Sequence, residues 1–221
     1  MSSIKICAIS LFLLALTGVA FANNLGPTGS GAPDLLTSGG TAVADTGTVP
    51  WSESAGPSMS GFSETRVYSD PSNVFCNGCL DFIFIISNSP ASTVGESIQR
   101  ITDSTFAGYA TDVGIATNFL CTLGPNVAPT SVDRSSGAGS TVGWNFSIGG
   151  GVAPGQCSDV LEIETNALSF TSGTLFFIDG FVATVASYAP SGPAVPEPAS
   201  LTLLGTGLLA LGGGLRKKLF S

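Results

Sequence analysis

The stretch Phe82-Ile-Phe-Ile-Ile86 decides the fold class, because it is apolar on both of its faces. An extended segment of this kind is typical of a central strand that is covered on both sides. A second stretch, Val160-Leu-Glu-Ile-Glu-Thr165, alternates instead. Its period of two predicts a strand with its aliphatic residues on the core face, and with Glu162 and Glu164 in water.

Short runs of β-branched and aromatic residues recur between turn residues from Phe62 onwards, a pattern typical of sandwiches and barrels. The predicted strands are 62–68, 80–87, 97–102, 111–116, 141–148, 160–165 and 175–188, the last with a turn at Asp179-Gly180. We therefore expect an all-β fold, an antiparallel β-sandwich of jelly-roll-like or Ig-like type, over residues 61–190. Residues 23–60 are rich in Gly, Pro and Ser, which predicts a leader or edge segment.

Composition agrees with an exported β protein and excludes one class of partner. The 221 residues have room for one domain plus processing segments. Only 10% of them are charged, where about 25% is usual in soluble domains. All 15 acidic residues lie between Lys5 and Arg216, together with only Arg66, Arg100 and Arg134. Nucleic acid is not expected as a partner, because binding phosphates requires clustered Lys and Arg.

The N-terminus has the three parts of a secretory signal peptide. Lys5 precedes an apolar run over residues 6–21, and the small residues Ala20 and Ala22 form an A-x-A site. Residues 1–22 are therefore predicted to be removed by signal peptidase, with cleavage after Ala22. The alternative is a retained membrane anchor.

A short motif, an apolar stretch and a basic cluster follow one another at the C-terminus. They are Val195, Pro196, Glu197 and Pro198, then residues 199–215, then Arg216, Lys217 and Lys218 in the tail 216–221. The 17 uncharged residues, at about 1.5 Å each, barely cross a hydrocarbon core of about 30 Å. They predict a marginal transmembrane helix, and the basic cluster places the tail on the cytoplasmic side of the membrane.

This tripartite order, within residues 191–221, resembles the sorting signal of PEP-CTERM proteins. The resemblance implies recognition by an exosortase, a membrane-embedded cysteine peptidase, and cleavage near Pro196 to Pro198. It also implies a passage through the cell envelope membrane that ends at the cell surface or in the exopolysaccharide matrix. An ordinary single-span anchor is the alternative. The runs 75–82, 106–113 and 160–166 resemble uncharacterised ectodomains found ahead of such signals.

The mature chain has four cysteines, and an even count in an exported chain favours disulfides. Four cysteines allow three connectivities. The predicted pairs are Cys76 with Cys79, clamping the turn before the central strand, and Cys121 with Cys157. A redox CxxC motif and a four-thiolate zinc site are the alternatives.

The chain has no histidine, which removes the usual general base of Ser and Cys nucleophiles. Paired carboxylates that could flank a glycosidic bond are Asp159, Glu162 and Glu164, or Asp81 and Asp112. A separate set of acids, Asp103, Asp112 and Asp179, could hold Ca²⁺ together with backbone carbonyls, although no EF-hand loop surrounds them. We expect these acids on solvated strand faces or in turn caps, and predict no cofactor and no metal.

Four aromatic residues are candidates for a sugar-stacking platform: Trp51, Trp144, Tyr68 and Tyr109. Trp144 lies in an alternating run, which favours core packing. The sequence therefore predicts a non-catalytic surface or matrix protein. The rival hypothesis is a secreted carbohydrate-active enzyme or carbohydrate-binding module that uses surface carboxylates and aromatics.

Overall fold

The computed structural model describes residues 24–53, 58–146 and 150–193, and these ranges contain β-strands and no helix. It follows that no helix within them could span a membrane. The predicted signal peptide, transmembrane segment, sorting motif and basic cluster all lie outside the described residues.

Fifteen strands make up the described fold. In chain order they are β1 (Ser30–Gly31), β2 (Asp34–Leu36), β3 (Thr41–Asp45), β4 (Val49–Ser52), β5 (Ser60–Asp70), β6 (Cys79–Asn88), β7 (Arg100–Asp103), β8 (Thr111–Ala116), β9 (Asn126–Val127), β10 (Ser131–Arg134), β11 (Val142–Asn145), β12 (Cys157–Ser158), β13 (Leu161–Thr165), β14 (Ser169–Ile178) and β15 (Val182–Ser191). The all-β prediction is thus confirmed over the described residues.

The strands form two sheets. The six-stranded sheet has the order β1-β10-β11-β7-β14-β15 and is antiparallel throughout. The nine-stranded sheet has the order β2-β8-β13-β6-β12-β9, with β5 along the other side of β6 and with β3 and β4 on β5. Strand β6 therefore lies at the centre, between β5 and β13, as its two apolar faces predict.

The nine-stranded sheet is mixed, so the prediction of a purely antiparallel fold is wrong in this part. Strand β2 pairs in parallel with β8, and β12 pairs in parallel with β9. The β2–β8 contact depends on Gly114, because a Cβ at that position would lie 2.1 Å from the Asp34 carbonyl oxygen. Strand periodicity does not encode the direction of a partner strand, which is why the sequence did not reveal these pairs.

One hydrophobic cluster joins the two sheets and contains side chains from both of them. Phe84 of β6 meets Trp144 of β11 edge to face, with ring centroids 5.6 Å apart. The Trp144 indole N–H donates to the Gly114 carbonyl across the same interface, at 3.0 Å. Trp51 stacks on Phe177 at 4.3 Å. Buried aromatic pairs of this kind fix how the two sheets face each other.

The described part of the segment 23–60 supplies short strands along the sheets. Strand β1 lies at one edge of the six-stranded sheet, and β2 lies at one edge of the nine-stranded sheet. Strands β3 and β4 pair with β5. Gly, Pro and Ser weaken the strand signal in this segment. Edge strands tolerate these residues because they have neighbours on one side only and bury less surface.

Candidate functional site

The register of the nine-stranded sheet places acidic side chains next to one another. Asp81 on β6 lies opposite Glu164 on β13, and Glu164 lies opposite Asp112 on β8. Glu162 shares the face of Glu164, because it lies two residues earlier on the same strand. One carboxylate oxygen each from Asp81, Glu162 and Glu164 lies within 4.8 Å of the other two. We call these three residues the acidic cluster.

The acidic cluster is buried, which corrects the prediction that Glu162 and Glu164 lie in water. Asp81 and Glu162 are 0% exposed and Glu164 is 4% exposed. Asp112, also expected on a solvated face, is 3% exposed. The cluster does point away from the hydrophobic core, as the alternation predicts. Alternation specifies the face of a sheet, but it does not say whether another segment covers that face.

Two loops cover the acidic cluster and bond to it. In the loop 71–78, the Asn73 amide donates to Asp81 Oδ1 at 2.6 Å, and the Val74 backbone N–H donates to Glu164 Oε2 at 3.3 Å. From the loop 37–40, the Ser38 hydroxyl donates to Asp81 Oδ2 at 3.0 Å. These donors hold Asp81 and Glu164 in place, so the positions of two of the three carboxylates are fixed.

Disulfides fasten the segments around the cluster. Cys76 pairs with Cys79 at the end of the loop 71–78, with the two Cα atoms 5.3 Å apart. Cys121 pairs with Cys157, with Cα atoms 6.2 Å apart, and holds the loop 117–125. These are the two pairs that the sequence predicts, and they leave no free thiol among the described residues for a four-thiolate zinc site. In the second loop the Asn118 amide donates to the Ser38 carbonyl at 2.6 Å.

Burial and mutual repulsion raise the pKa values of the cluster. Burial, followed by the charges of Asp81 and Glu164, raises the pKa of Glu162 to about 9. Burial, partly offset by the hydrogen bond from Asn73, raises the pKa of Asp81 to about 8. Burial also raises the pKa of Glu164. Without a compensating cation, the three groups together favour bound protons over three negative charges.

No cation of the described residues neutralises this charge. Arg66 pairs with Asp45 and Glu64. Arg100 pairs with Asp133, while Arg134 donates to backbone carbonyls and to a threonine hydroxyl. These arginines are the only basic side chains between Lys5 and Arg216. The acidic cluster is therefore a concentration of buried carboxyl groups with no basic partner in the described fold.

Glu162 is the most unusual member of the cluster. Both of its carboxylate oxygens are buried, and neither has a hydrogen-bond partner among the described residues. The Oδ1 atom of Asp112, on the neighbouring strand β8, is also buried and also has no hydrogen-bond partner among the described residues. A buried polar group without a partner typically costs about 1–3 kcal/mol, and more when it is charged. Such a group is rare in native folds, so it points to a ligand or to a functional role.

The structure separates the other predicted acidic sites. Asp103 lies on β7 in the six-stranded sheet, where it accepts a hydrogen bond from the Ser187 hydroxyl at 3.1 Å. Burial raises its pKa well above the usual range. Asp179 lies instead near Glu53, and burial together with the nearby Asp179 carboxyl group raises the pKa of Glu53 to about 7. None of the three predicted acidic sets comes together as a whole. The observed cluster combines Asp81 from one set with Glu162 and Glu164 from another.

The four candidate aromatic residues do not form a shared platform. Trp51 and Trp144 are buried in the core. Tyr68 packs on Phe119 with ring centroids 5.5 Å apart, and the Tyr109 hydroxyl donates to the Gly192 carbonyl. Trp144 thus packs in the core as expected. A sugar ring could not stack on these residues together.

Comparison with known families matches the C-terminal region. A family described as "PEP-CTERM protein-sorting motif" matches residues 194–218. This chain therefore carries the sorting motif that its Pro-Glu-Pro, apolar and basic segments resemble. The motif indicates export towards the cell surface through processing at the membrane, with an exosortase as the processing partner. No curated protein and no solved structure matches the chain.

Proposed function

We propose that this chain is a non-catalytic protein of the cell surface or exopolysaccharide matrix. Signal peptidase removes residues 1–22, and an exosortase cuts near Pro196 to Pro198. The β domain is then delivered outside the cell. The observation that carries this proposal is the PEP-CTERM motif at residues 194–218. The signal peptide predicted at the N-terminus supports it.

The burial of the acids supports a non-catalytic role over the rival carbohydrate-active enzyme. Glycosidases place two carboxylates on either side of an accessible glycosidic bond. Here Asp81, Glu162 and Glu164 are at most 4% exposed, and hydrogen-bonded loops cover them. A sugar cannot reach these carboxylates unless the loops open. The absence of histidine also removes the commonest general base.

Matrix association predicts how the protein divides between fractions of the native host. We expect most of it to sediment with the exopolysaccharide-rich matrix. In a strain that makes no exopolysaccharide, we expect at least a tenfold shift towards the culture medium. Immunodetection in the membrane, matrix and medium fractions measures this shift.

A matched control separates retention in the matrix from sorting. A variant with Pro196, Glu197 and Pro198 replaced by alanine should remain in the membrane fraction in both strains. Equal amounts of wild-type protein in the medium of both strains would contradict matrix association, while leaving processing by the exosortase intact.

A further inference from the structure

We propose that the acidic cluster, Asp81, Glu162 and Glu164, is a Ca²⁺ site. Two oxygens bound to one Ca²⁺ at about 2.4 Å each are at most about 4.8 Å apart. One oxygen from each of the three carboxylates already satisfies this limit, since these atoms lie within 4.8 Å of one another. The spacing of the three side chains therefore meets a necessary condition for sharing one ion.

Glu162 is the observation that points to a ligand rather than to a merely buried acidic patch. Its carboxylate is 0% exposed and both of its oxygens lack a partner among the described residues. The same carboxylate reaches to within 4.8 Å of Asp81 and Glu164 oxygens. A cation at their centre supplies the interaction that Glu162 lacks and removes the repulsion between carboxylates on neighbouring strands.

The chemistry of the donors selects Ca²⁺ among the common metals. All three side chains offer carboxylate oxygens, the ligands that hard cations prefer. The chain has no histidine, and Cys76, Cys79, Cys121 and Cys157 are paired, so the described residues offer neither an imidazole nor a thiolate for zinc or copper. Mg²⁺ requires near-ideal octahedral geometry and keeps most of its waters. A buried set of three carboxylates on two strands suits the more adaptable shell of Ca²⁺.

The surrounding structure orients the site in advance. Ser38 and Asn73 each donate to one oxygen of Asp81, and Val74 donates to Glu164. Every carboxylate oxygen has more than one lone pair, so these bonds leave room for coordination. Because Ser38, Asn73 and Val74 come from covering loops, Ca²⁺ bound here ties those loops to the sheet. The ion therefore stabilises the folded domain outside the cell.

The test uses the full chain, purified in detergent with its disulfides formed and freed of metal with EGTA. Adding 10 mM CaCl₂ is expected to raise the Tm by on the order of 3–10 °C, for a site in the affinity range of extracellular modules. Calorimetric titration with CaCl₂ should give one ion per chain. The same concentration of MgCl₂ should give less than half the Tm shift.

Glu162→Gln should abolish the Ca²⁺ shift while leaving the Tm in EGTA no lower than that of the wild type, because the amide is neutral and nearly isosteric with the protonated carboxyl group that burial favours in the absence of the ion. Glu164→Gln is a second variant, and its Ca²⁺ shift should also be lost. Asp103→Asn is the matched control, since Asp103 is a buried carboxylate on the other sheet; it should keep the full shift. No shift in the wild type, an undiminished shift in Glu162→Gln, or an equal shift with Mg²⁺ would overturn the proposal.

Discussion

Replacing Arg134 with methionine is expected to lower the free energy of unfolding by about 3–5 kcal/mol. Arg134 is 4% exposed and donates five hydrogen bonds. The acceptors are the carbonyls of Leu25, Phe106, Tyr109 and Gly139 and the Thr111 hydroxyl. Methionine fills a similar volume, but it leaves these buried acceptors without their donor. The midpoint of urea unfolding of the full chain measures the loss.

Arg66→Met is the matched control. Arg66 forms side-chain ion pairs with Asp45 and Glu64, and its side chain is 31% exposed. Partly exposed ion pairs of this kind are worth about 0–1 kcal/mol. The structure indicates that Arg134 joins the N-terminal segment and the 106–109 turn to the β domain. An equal or smaller loss of stability in Arg134→Met than in Arg66→Met would contradict this role.

Removing the disulfide between Cys121 and Cys157 is expected to give the second large effect, a loss of about 4 kcal/mol for the double serine variant. The bond joins residues 36 apart in sequence. In the chain-entropy description, closing a loop of about this length restricts the unfolded state by about 4 kcal/mol. Urea unfolding in EGTA, compared with the intact chain under the same conditions, measures the loss without any contribution from Ca²⁺.

The other disulfide provides the comparison for this prediction. Cys76 and Cys79 are only three residues apart, so the same description assigns their bond about 2 kcal/mol. The double serine variant at 76 and 79 should therefore lose about half as much stability. A larger loss at 76 and 79 than at 121 and 157 would contradict the entropic account and would assign the greater role to local packing beneath the loop 71–78.

Part of the fold is readable from the sequence because strand periodicity is a local property. Residues 111–116 were predicted as a strand and are β8 with the same bounds. The two apolar faces of Phe82–Ile86 placed β6 at the centre of its sheet. Strands β1 to β4 were missed, since their Gly, Pro and Ser content weakens the alternating pattern and their partners are distant in sequence.

The candidate site was less accessible to sequence reasoning. The face of Glu162 and Glu164 follows from alternation, but their burial depends on loops 37–40 and 71–78 folding over them. The meeting of Asp81 with Glu164 depends on the register between β6 and β13, which are far apart in the chain. One sequence feature does indicate an unusual acidic site. The alternating run 160–165 carries two acids in a region with very few basic residues.

The most direct test of the sorting account is the intact mass of the protein released from its native host, measured with and without the host's exosortase. The account predicts that the released protein lacks residues 1–22 and the segment beyond the Pro196–Pro198 motif only when the exosortase is present. Reduction and alkylation should then reveal four thiols. A protein that retains residues 201–221 in both strains would contradict the account and would indicate a plain membrane-anchored ectodomain.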